Sequence, residues 1–355
     1  MTERVFSLDA ARGFAIFAMI VAHTYIFISP AHILVAYAEG TLNHLAAPLF
    51  ALIIGVTIAV TGPQVRENSA DRFAQRSFRV QTGLRAVLLI GIGFLLQYLP
   101  TNVNIVLEHL GVAMLCTLPF LFLGVRALLI WASSLVLLVP GVITFLRDGT
   151  VGGVPQFMFE LPLPFRYLLD WLLLGYAYQA LSFLPLILIG IVLGRGAMRN
   201  RRTMVTILVT GVLLYLPLEV WKVVSFSDGF VRGGYLEVWR ELPLALACFA
   251  AIVLVADLLP ANTSRIWRVV LQPFAVQGRM ALSIYVLHLI LLALVLSGPF
   301  SGAASTLPGW VKQAGVIIAC WGFAALWWRY CGAGPMERVV AVLSGRRAIR
   351  NLFAR

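Results

Sequence analysis

Long apolar runs separated by short polar segments make up most of this chain. Each run holds about 17–22 residues, and about 20 helical residues cross the hydrocarbon core of a bilayer. The ten predicted membrane spans are residues 13–30, 41–62, 84–100, 105–123, 127–146, 176–194, 203–221, 241–259, 280–298 and 310–330. The pattern therefore predicts an all-α fold, a polytopic membrane helix bundle that occupies residues 1–355 as a single domain. Residues 161–174 stay open between an amphipathic or re-entrant segment and an extra span.

Composition and charge agree with a membrane protein. The chain is 61% hydrophobic and 12% charged, which is too little polar surface for a water-soluble globule. With a cytoplasmic N-terminus, 21 of the 27 basic residues lie on the cytoplasmic side, so we expect both termini in the cytoplasm. We expect an integral protein of a bacterial cytoplasmic (inner) membrane. Nucleic-acid binding is disfavoured, because the arginines are scattered over several membrane edges and no soluble domain presents them.

The cysteines give no sign of a metal site or a disulfide framework, because they lie mostly in apolar segments without close pairing. They are Cys116, Cys248, Cys320 and Cys331.

Polar residues follow one face of the first predicted helix. Arg12 and His23 are 11 residues apart, which corresponds to about 17 Å along a helix and about 20° around it. Asp9 lies about 40° off the same line. These residues can therefore face one internal channel, which suggests chemistry within the bilayer. The alternatives are a helix N-cap for Asp9 and a positive-inside anchor for Arg12.

Other histidines are candidates because ionisable groups inside a membrane are costly. His44 opens the second span four residues before Pro48, a residue that frees backbone carbonyls in a helix. His288 lies in mid-span, one helical turn after Tyr285. His32 falls in the short outside loop. For each, the alternative is a structural hydrogen bond to a carbonyl or a neighbouring helix.

Two further sets of residues suggest binding. Glu108 and His109 open the fourth span at the outer surface, where a carboxylate beside an imidazole can act as a base and its orienting group. Neighbours on a helix point about 100° apart, and a glutamate is also favoured at a helix N-terminus without any function. On the cytoplasmic side, arginine suits phosphate recognition and 25 of the 27 basic residues are arginine. Arg195 and Arg279 are candidate contacts for a phosphorylated cofactor such as an acyl-CoA.

The N-terminal run resembles a known first helix. Arg4, Leu8-Asp9 and Arg12-Gly13, followed by His23, resemble the acyltransferase-3 pattern, whose helix-1 histidine is taken as catalytic. Other stretches are similar to two related families. The segments 48–55 (PLFALIIG) and 106–112 (VLEHLGV) resemble the heparan-alpha-glucosaminide N-acetyltransferase family, and 277–285 (QGRMALSIY) and 334–337 (GPME) resemble the YeiB-like family.

The resemblance implies a membrane acyltransferase. It would move an acyl group, acetyl in the first instance, from cytoplasmic acetyl-CoA or another acyl-CoA to a sugar or lipid-linked acceptor at the outer face. In the heparan enzyme's family the active histidine lies in the first outside loop, where this chain offers His32, and an aspartate tends to stand where His44 does. The predicted catalytic residues, in order, are His23, then His44 and His32, then His288. Asp9, Arg12, Arg195 and Arg279 are predicted on the donor side, and Glu108 and His109 on the acceptor side.

The sequence leaves two alternatives open. The same histidines and Glu108 could relay protons in a proton-coupled transporter or flippase. The oligomeric state is also open, with a homodimer among the alternatives.

Overall fold

The computed structural model describes residues 5–28, 33–62, 72–147, 155, 157–225, 232–298, 301–302 and 306–345. Within these ranges the regular structure is helical, so the predicted all-α class is confirmed. The helices are α1 (Phe6–Thr24), α2 (Ile33–Thr61), α3 (Arg72–Leu96), α4 (Leu107–Cys116), α5 (Val125–Arg147), α6 (Phe157–Glu160), α7 (Leu163–Leu169), α8 (Ala180–Gly194), α9 (Arg201–Ser225), α10 (Tyr235–Val253), α11 (Ala261–Gly278), α12 (Ala281–Leu296), α13 (Gly309–Cys331) and α14 (Pro335–Leu343).

Seven of the described helices are long and apolar enough to cross a membrane. They are α1, α2, α3, α5, α9, α10 and α13. The pair α11 and α12 is bent by 75° and forms an eighth candidate if it is one broken span. The chain is therefore an integral membrane protein with seven or eight candidate spans among its described residues.

Each of the ten predicted segments contains a helix, but three of these helices are short. The helices α4, α8 and α12 have 10, 15 and 16 residues, and about 20 are needed to span the hydrocarbon. Pro119 opens a separate helical turn just after α4, because proline cannot donate the hydrogen bond that would continue the helix. The predicted count of ten spans is accordingly not confirmed. Residues 163–169 form a short helix that continues as a π-helical turn, Asp170–Leu174, which is too short to be an extra span.

Sequence reasoning missed α11, which it placed in a cytoplasmic loop. The segment carries Arg265, Arg268 and Gln272, and these residues lower its hydropathy. Pro260 precedes the first helical residue, where its fixed φ favours helix initiation. The helix buries Leu271 and Ala275 and packs mainly against α1. A helix can therefore be held by one buried face even where its composition does not predict a span.

The chain divides into two compact units, which are described separately. The first comprises residues 1–50, 93–105 and 252–355, and in it α1 packs against α11, α12 and α13. The helices α1 and α11 cross closely. A Cβ at Gly13 would lie 1.7 Å from the carbonyl oxygen of Phe274, and one at Gly278 would lie 1.8 Å from that of Asp9. Only glycine permits so close an approach of two helix backbones.

The second unit comprises residues 51–92 and 106–251. In this unit α8 packs against α4 and α5, and it also crosses residues 51–61 of α2. A Cβ at Gly55 would lie 2.0 Å from the carbonyl oxygen of Ile187, and one at Gly190 would lie 2.2 Å from that of Leu52. Each unit is therefore built around a close helix crossing with glycine on both sides.

A buried ion pair joins α9 and α10 in the second unit. Arg240 donates from Nε and Nη2 to the two carboxylate oxygens of Glu219 at 2.6 and 2.7 Å, and both side chains are 3% exposed. Removal of one partner would leave the other charge buried and uncompensated, which costs about 3–5 kcal/mol.

Candidate functional site

A buried pair of histidines joins α1 to α12 in the first unit. Nδ1 of His23 lies 3.0 Å from Nε2 of His288, and the rings stack with their centroids 5.2 Å apart. His23 is 8% exposed and His288 is completely buried. Tyr285 places its ring edge-on against His288, also at 5.2 Å. The structure therefore brings together two of the four predicted catalytic histidines.

The hydrogen bonds determine which nitrogen carries each proton when both rings are neutral. Nδ1 of His288 lies 3.3 Å from the carbonyl oxygen of Ile284, and since a carbonyl can only accept, this nitrogen donates. Nε2 of His288 is then an acceptor, so Nδ1 of His23 donates to it. Nε2 of His23 keeps its lone pair. This atom is the one in the pair that can take a proton or attack a carbonyl carbon.

A charged cluster lies near the other end of α1. Arg12 donates from Nη1 to Oδ1 of Asp9 at 3.0 Å, and Nε of Arg279 lies 3.5 Å from the second carboxylate oxygen. Asp9 is buried, whereas the side chains of Arg12 and Arg279 are 23% and 20% exposed. The guanidinium group of Arg279 also lies over the ring of Trp328 at 4.3 Å. Since His23 follows Asp9 by 14 residues, the cluster lies about 21 Å along α1 from the histidine pair.

The N-cap of α1 is Val5, and Asp9 lies in the first turn. The alternative interpretation of Asp9 as an N-cap is therefore wrong, because this residue is already inside the helix. Its negative charge near the helix N-terminus is still favourable.

Other polar groups are buried beside this cluster. Ser7 and Gln277 flank the crossing at which the carbonyl of Asp9 faces Gly278, and both side chains are 0% exposed. Within the described part of the chain, the hydroxyl of Ser7 and both amide atoms of Gln277 have no hydrogen-bond partner. An unsatisfied buried polar group costs about 1–3 kcal/mol. These atoms are therefore positioned to bind a polar ligand or ordered water.

A carboxylate from α14 holds the start of α12, the helix that carries His288. Oε1 of Glu337 accepts hydrogen bonds from the backbone N–H groups of Leu282 at 2.7 Å and Ser283 at 3.2 Å, while the hydroxyl of Ser283 donates to the other carboxylate oxygen. Such N–H groups have no partner inside their own helix. Burial raises the pKa of Glu337, and the hydrogen bonds from Ser283 and Leu282 oppose that rise.

Glu108 and His109 form a pair at the start of α4 in the second unit. Oε1 of Glu108 lies 3.7 Å from Nδ1 of His109, and the residues are 4% and 7% exposed. The imidazole packs edge-on against Tyr178 with centroids 5.9 Å apart, and its Nε2 lies 3.0 Å from where a Cβ at Gly175 would stand. Burial raises the pKa of Tyr178 to about 12, and Glu241 acts in the same direction. Tyr178 is consequently a neutral hydroxyl donor at ordinary pH.

Arg195 and His44 are the remaining predicted site residues that the structure describes. In the second unit, Arg195 donates from Nη1 to the carbonyl oxygen of Leu123 at 2.5 Å and from Nη2 to that of Leu121 at 2.7 Å. Burial lowers its pKa. Because Nη1 and Nη2 already donate to these carbonyls, a phosphate contact, which stays a prediction, would use the other N–H groups of the side chain. His44 is half-buried on α2, and His32 lies outside the described residues.

Four polar residues beside the histidine pair or the charged cluster were not predicted as site residues. They are Ser7, Gln277, Ser283 and Glu337. The last three lie within the two C-terminal stretches that resemble the YeiB-like family, so the motif contained the signal although no role was assigned to them. Ser7 gave no signal beyond its nearness to Asp9.

A family model for the catalytic domain of heparan-alpha-glucosaminide N-acetyltransferase matches residues 4–212, more than half of the 355 residues. The chain belongs to this family. It is thus a member of a family of membrane N-acetyltransferases, and the predicted resemblance is confirmed. The match contains Asp9, Arg12 and His23 of the first unit.

A second family, described as a protein of unknown function (DUF418), matches residues 193–346. This match confirms the predicted YeiB-like resemblance of the C-terminal stretches. It contains Arg279 and His288, so the buried histidine pair takes one member from each matched region. No curated protein matches the chain.

Proposed function

We propose that this chain transfers an acetyl group, or another acyl group, from a cytoplasmic acyl-CoA to a sugar or lipid-linked acceptor. The reaction delivers the group to a hydroxyl or amine at the outer face of a bacterial cytoplasmic membrane. The observation that carries the proposal is the buried pair of His23 and His288, whose hydrogen bonds leave Nε2 of His23 as a free base. Membership of an N-acetyltransferase family supports the reaction class. The arginine distribution supports both termini in the cytoplasm.

His23 acts as the general base in the direct form of the reaction. Its Nε2 takes the proton of the acceptor hydroxyl or amine while that oxygen or nitrogen attacks the thioester carbonyl carbon. The carbon–sulfur bond then breaks, and the leaving thiolate receives the proton from His23. His288 keeps His23 in the tautomer whose Nε2 has a lone pair, because Nε2 of His288 accepts the hydrogen bond from Nδ1 of His23.

A second form of the reaction uses the same atom as a nucleophile. Nε2 of His23 attacks the thioester carbon, the carbon–sulfur bond breaks, and the acyl group rests on the imidazole. The acceptor oxygen or nitrogen then attacks the acyl carbon, the bond from this carbon to Nε2 breaks, and the acceptor's proton passes to the CoA thiolate. The positive charge of the acylated ring is shared with His288 through the Nδ1–H bond. Both forms require a neutral His23 and an intact contact between the two rings.

The cluster at the start of α1 fits the polar part of an acyl-CoA. Arg12 and Arg279 against Asp9 give a net charge of +1, and both arginines are partly exposed, which suits the guanidinium recognition of phosphate. Gln277 offers a buried amide, with its donor and its acceptor unused among the described residues, which suits the amide groups of a pantetheine arm. The acyl-CoA supplies the activated thioester, and these side chains would bind and orient it.

Thermal stabilisation of the purified protein tests donor binding. We expect acetyl-CoA to raise the unfolding temperature more than free CoA or unrelated nucleotides do; at a concentration of 100 Kd a ligand adds about 2.7 kcal/mol of stability. Thioester cleavage should accompany binding in the wild type and be lost in His23→Ala, while that variant keeps the acetyl-CoA shift.

A proton-coupled transporter or flippase is the second candidate, and the 75° bend between α11 and α12 favours it. Broken helices line the substrate sites of many transporters. The absence of a thermal shift with every acyl-CoA, together with no thioester cleavage, would contradict transfer and support transport.

A comparison of membranes with and without the protein, in search of a lost acetyl mass, would identify the acceptor. Glu108 and His109 are proposed to bind it.

A further inference from the structure

An open groove lies between α11 and α13 in the first unit. Its volume is about 800 Å³, which is within the range of ligand sites in proteins. The lining is apolar except near one set of residues on α11. The apolar side chains are those of Val269, Pro273, Val276, Ile318, Trp321 and Ala325, and the polar ones are those of Arg265, Arg268 and Gln272.

The two arginines give the groove a positively charged site. Arg268 donates from Nε to the carbonyl oxygen of Ala256 at 2.8 Å and from Nη2 to Oδ1 of Asp257 at 3.0 Å. It is thereby fixed in place, yet its side chain remains 51% exposed. Arg265 is exposed one helical turn earlier on the same face. The lining contains two guanidinium groups, and one of them is paired with the carboxylate of Asp257. The three groups together have a net charge of +1, which complements a monoanion such as a phosphodiester.

The surroundings of the groove place it against lipid. The helix α13 is a candidate span, so the apolar wall that it contributes belongs in the hydrocarbon region. On α11, the apolar side chains beside the arginines are strongly exposed, with Ile266 at 66%, Trp267 at 41% and Val269 at 71%. A helix that combines exposed tryptophan, aliphatic residues and arginine is typical of the membrane interface.

We propose that this groove is a binding site for an anionic phospholipid. An acyl chain lies along the apolar wall between α11 and α13, and the phosphodiester binds Arg265 and Arg268. Basic residues near a membrane surface favour anionic over zwitterionic lipids. The proposal does not depend on the transferase reaction, because none of the groove residues belongs to the histidine pair or to the cluster around Asp9.

Charge variants of the full-length protein test the headgroup contact. The purified protein is exposed to equal amounts of phosphatidylglycerol and phosphatidylcholine, and the lipid that stays bound is measured by native mass spectrometry. We expect the wild type to retain phosphatidylglycerol preferentially. Arg265→Gln should lower that preference about fivefold, and Arg265→Gln with Arg268→Gln further, since each basic residue near the surface contributes ~1 kcal/mol.

Matched controls separate a specific contact from net charge. Arg126→Gln removes one exposed arginine from α5 of the second unit and should leave the preference unchanged. Arg265→Gln leaves the contacts of Arg268 with Asp257 intact, so it gives a result even if the double variant does not fold. Equal retention of both lipids by the wild type, or the same preference in the wild type and Arg265→Gln, would overturn the proposal.

A pair of glycines on α13 tests the groove itself. Gly322 lines the groove and Gly315 does not, and a Cβ at either position meets no heavy atom within 4 Å. Gly322→Phe should therefore fill the groove and at least halve phosphatidylglycerol retention, while Gly315→Phe should retain as much as the wild type. Equal retention by the two phenylalanine variants would contradict binding in this groove.

Discussion

A pair of histidines and a glutamate–histidine pair, both buried among the described residues, are built in different ways. His23 and His288 are 265 residues apart and meet at 3.0 Å, whereas Glu108 and His109 are adjacent and their nearest charged atoms are 3.7 Å apart. Adjacent side chains on a helix diverge by about 100°, so they reach each other only at a distance beyond that of a good hydrogen bond. Side chains from two packed helices can point directly at one another.

The difference separates two kinds of chemistry. The first pair has a defined chain of hydrogen bonds that ends on the carbonyl of Ile284 and leaves one nitrogen lone pair free. That arrangement suits proton transfer or nucleophilic attack. The second pair packs against the neutral hydroxyl-bearing ring of Tyr178, which suits recognition of a polar acceptor. The proposed transfer reaction therefore uses the first pair, and the proposed acceptor contact uses the second.

The largest expected effect comes from removing the base itself. His23→Ala should lower acyl transfer about 10²–10⁴-fold, the usual contribution of a positioned general base. The measurement is single-turnover transfer from labelled acetyl-CoA, with gel filtration to verify folding. His44→Ala is the matched comparison, since His44 ranked second among the predicted bases. A greater loss in His44→Ala than in His23→Ala would contradict the assignment.

In the proposed reaction His288 positions His23, so its replacement should lower the rate less. His288→Ala leaves Nδ1 of His23 without its acceptor and should lower the transfer rate about 10–100-fold, because a hydrogen bond to a group that becomes charged in the reaction contributes about 1.5–3 kcal/mol. His288→Gln should recover part of this loss, because the amide oxygen of glutamine can accept from the same N–H. The pH dependence of the rate should change in His288→Ala and return towards the wild-type profile in His288→Gln. Equal rates in the two variants would indicate a purely structural role.

The sequence predicted the local part of this arrangement. Spacing along α1 placed Asp9, Arg12 and His23 on one face, and the structure buries Asp9 and His23 within the first unit. Apolar length predicted the helices, because a membrane span must satisfy its backbone hydrogen bonds internally. Both signals are contained within a single helix.

The tertiary part could not be predicted in the same way. His288 is the partner of His23 only because α12 packs near α1, and no local pattern specifies which helices become neighbours. The contact between Glu337 and Ser283 likewise joins residues 54 positions apart. Hydropathy also failed to predict α11, because its arginines and glutamines are typical of a loop although one face of the helix is buried.

Changes to the second pair should affect binding more than chemistry. His109→Ala removes a group packed against Tyr178 and should raise the KM for the acceptor about tenfold, the effect of losing one hydrogen bond to a bound group. The kcat and the KM for acetyl-CoA should stay within about twofold of the wild type. Steady-state kinetics with the acceptor varied at saturating acetyl-CoA measure this. A large fall in kcat with an unchanged KM would place His109 in the reaction and remove the distinction between the pairs.

The smallest expected effect concerns how each pair's helix begins. The first turn of α4 contains its own carboxylate, Glu108, whereas the first turn of α12 donates hydrogen bonds to the carboxylate of Glu337 on α14. Because burial raises the pKa of Glu337 above its ordinary value near 4.5, the folded protein holds this proton over a pH range in which the unfolded chain has released it. The free energy of unfolding therefore falls as pH rises through that range, by less than about 1.4 kcal/mol per pH unit, and is constant above it.

Glu337→Gln removes the titrating group and should flatten this part of the stability profile, while it keeps one oxygen to accept from the N–H groups of Leu282 and Ser283. Thermal unfolding of both proteins between pH 4.5 and neutrality measures the difference in slope. The control is Glu160→Gln, which changes an exposed carboxyl group and should leave the wild-type slope unchanged. The same decline in Glu337→Gln as in the wild type would mean that other groups produce the pH dependence.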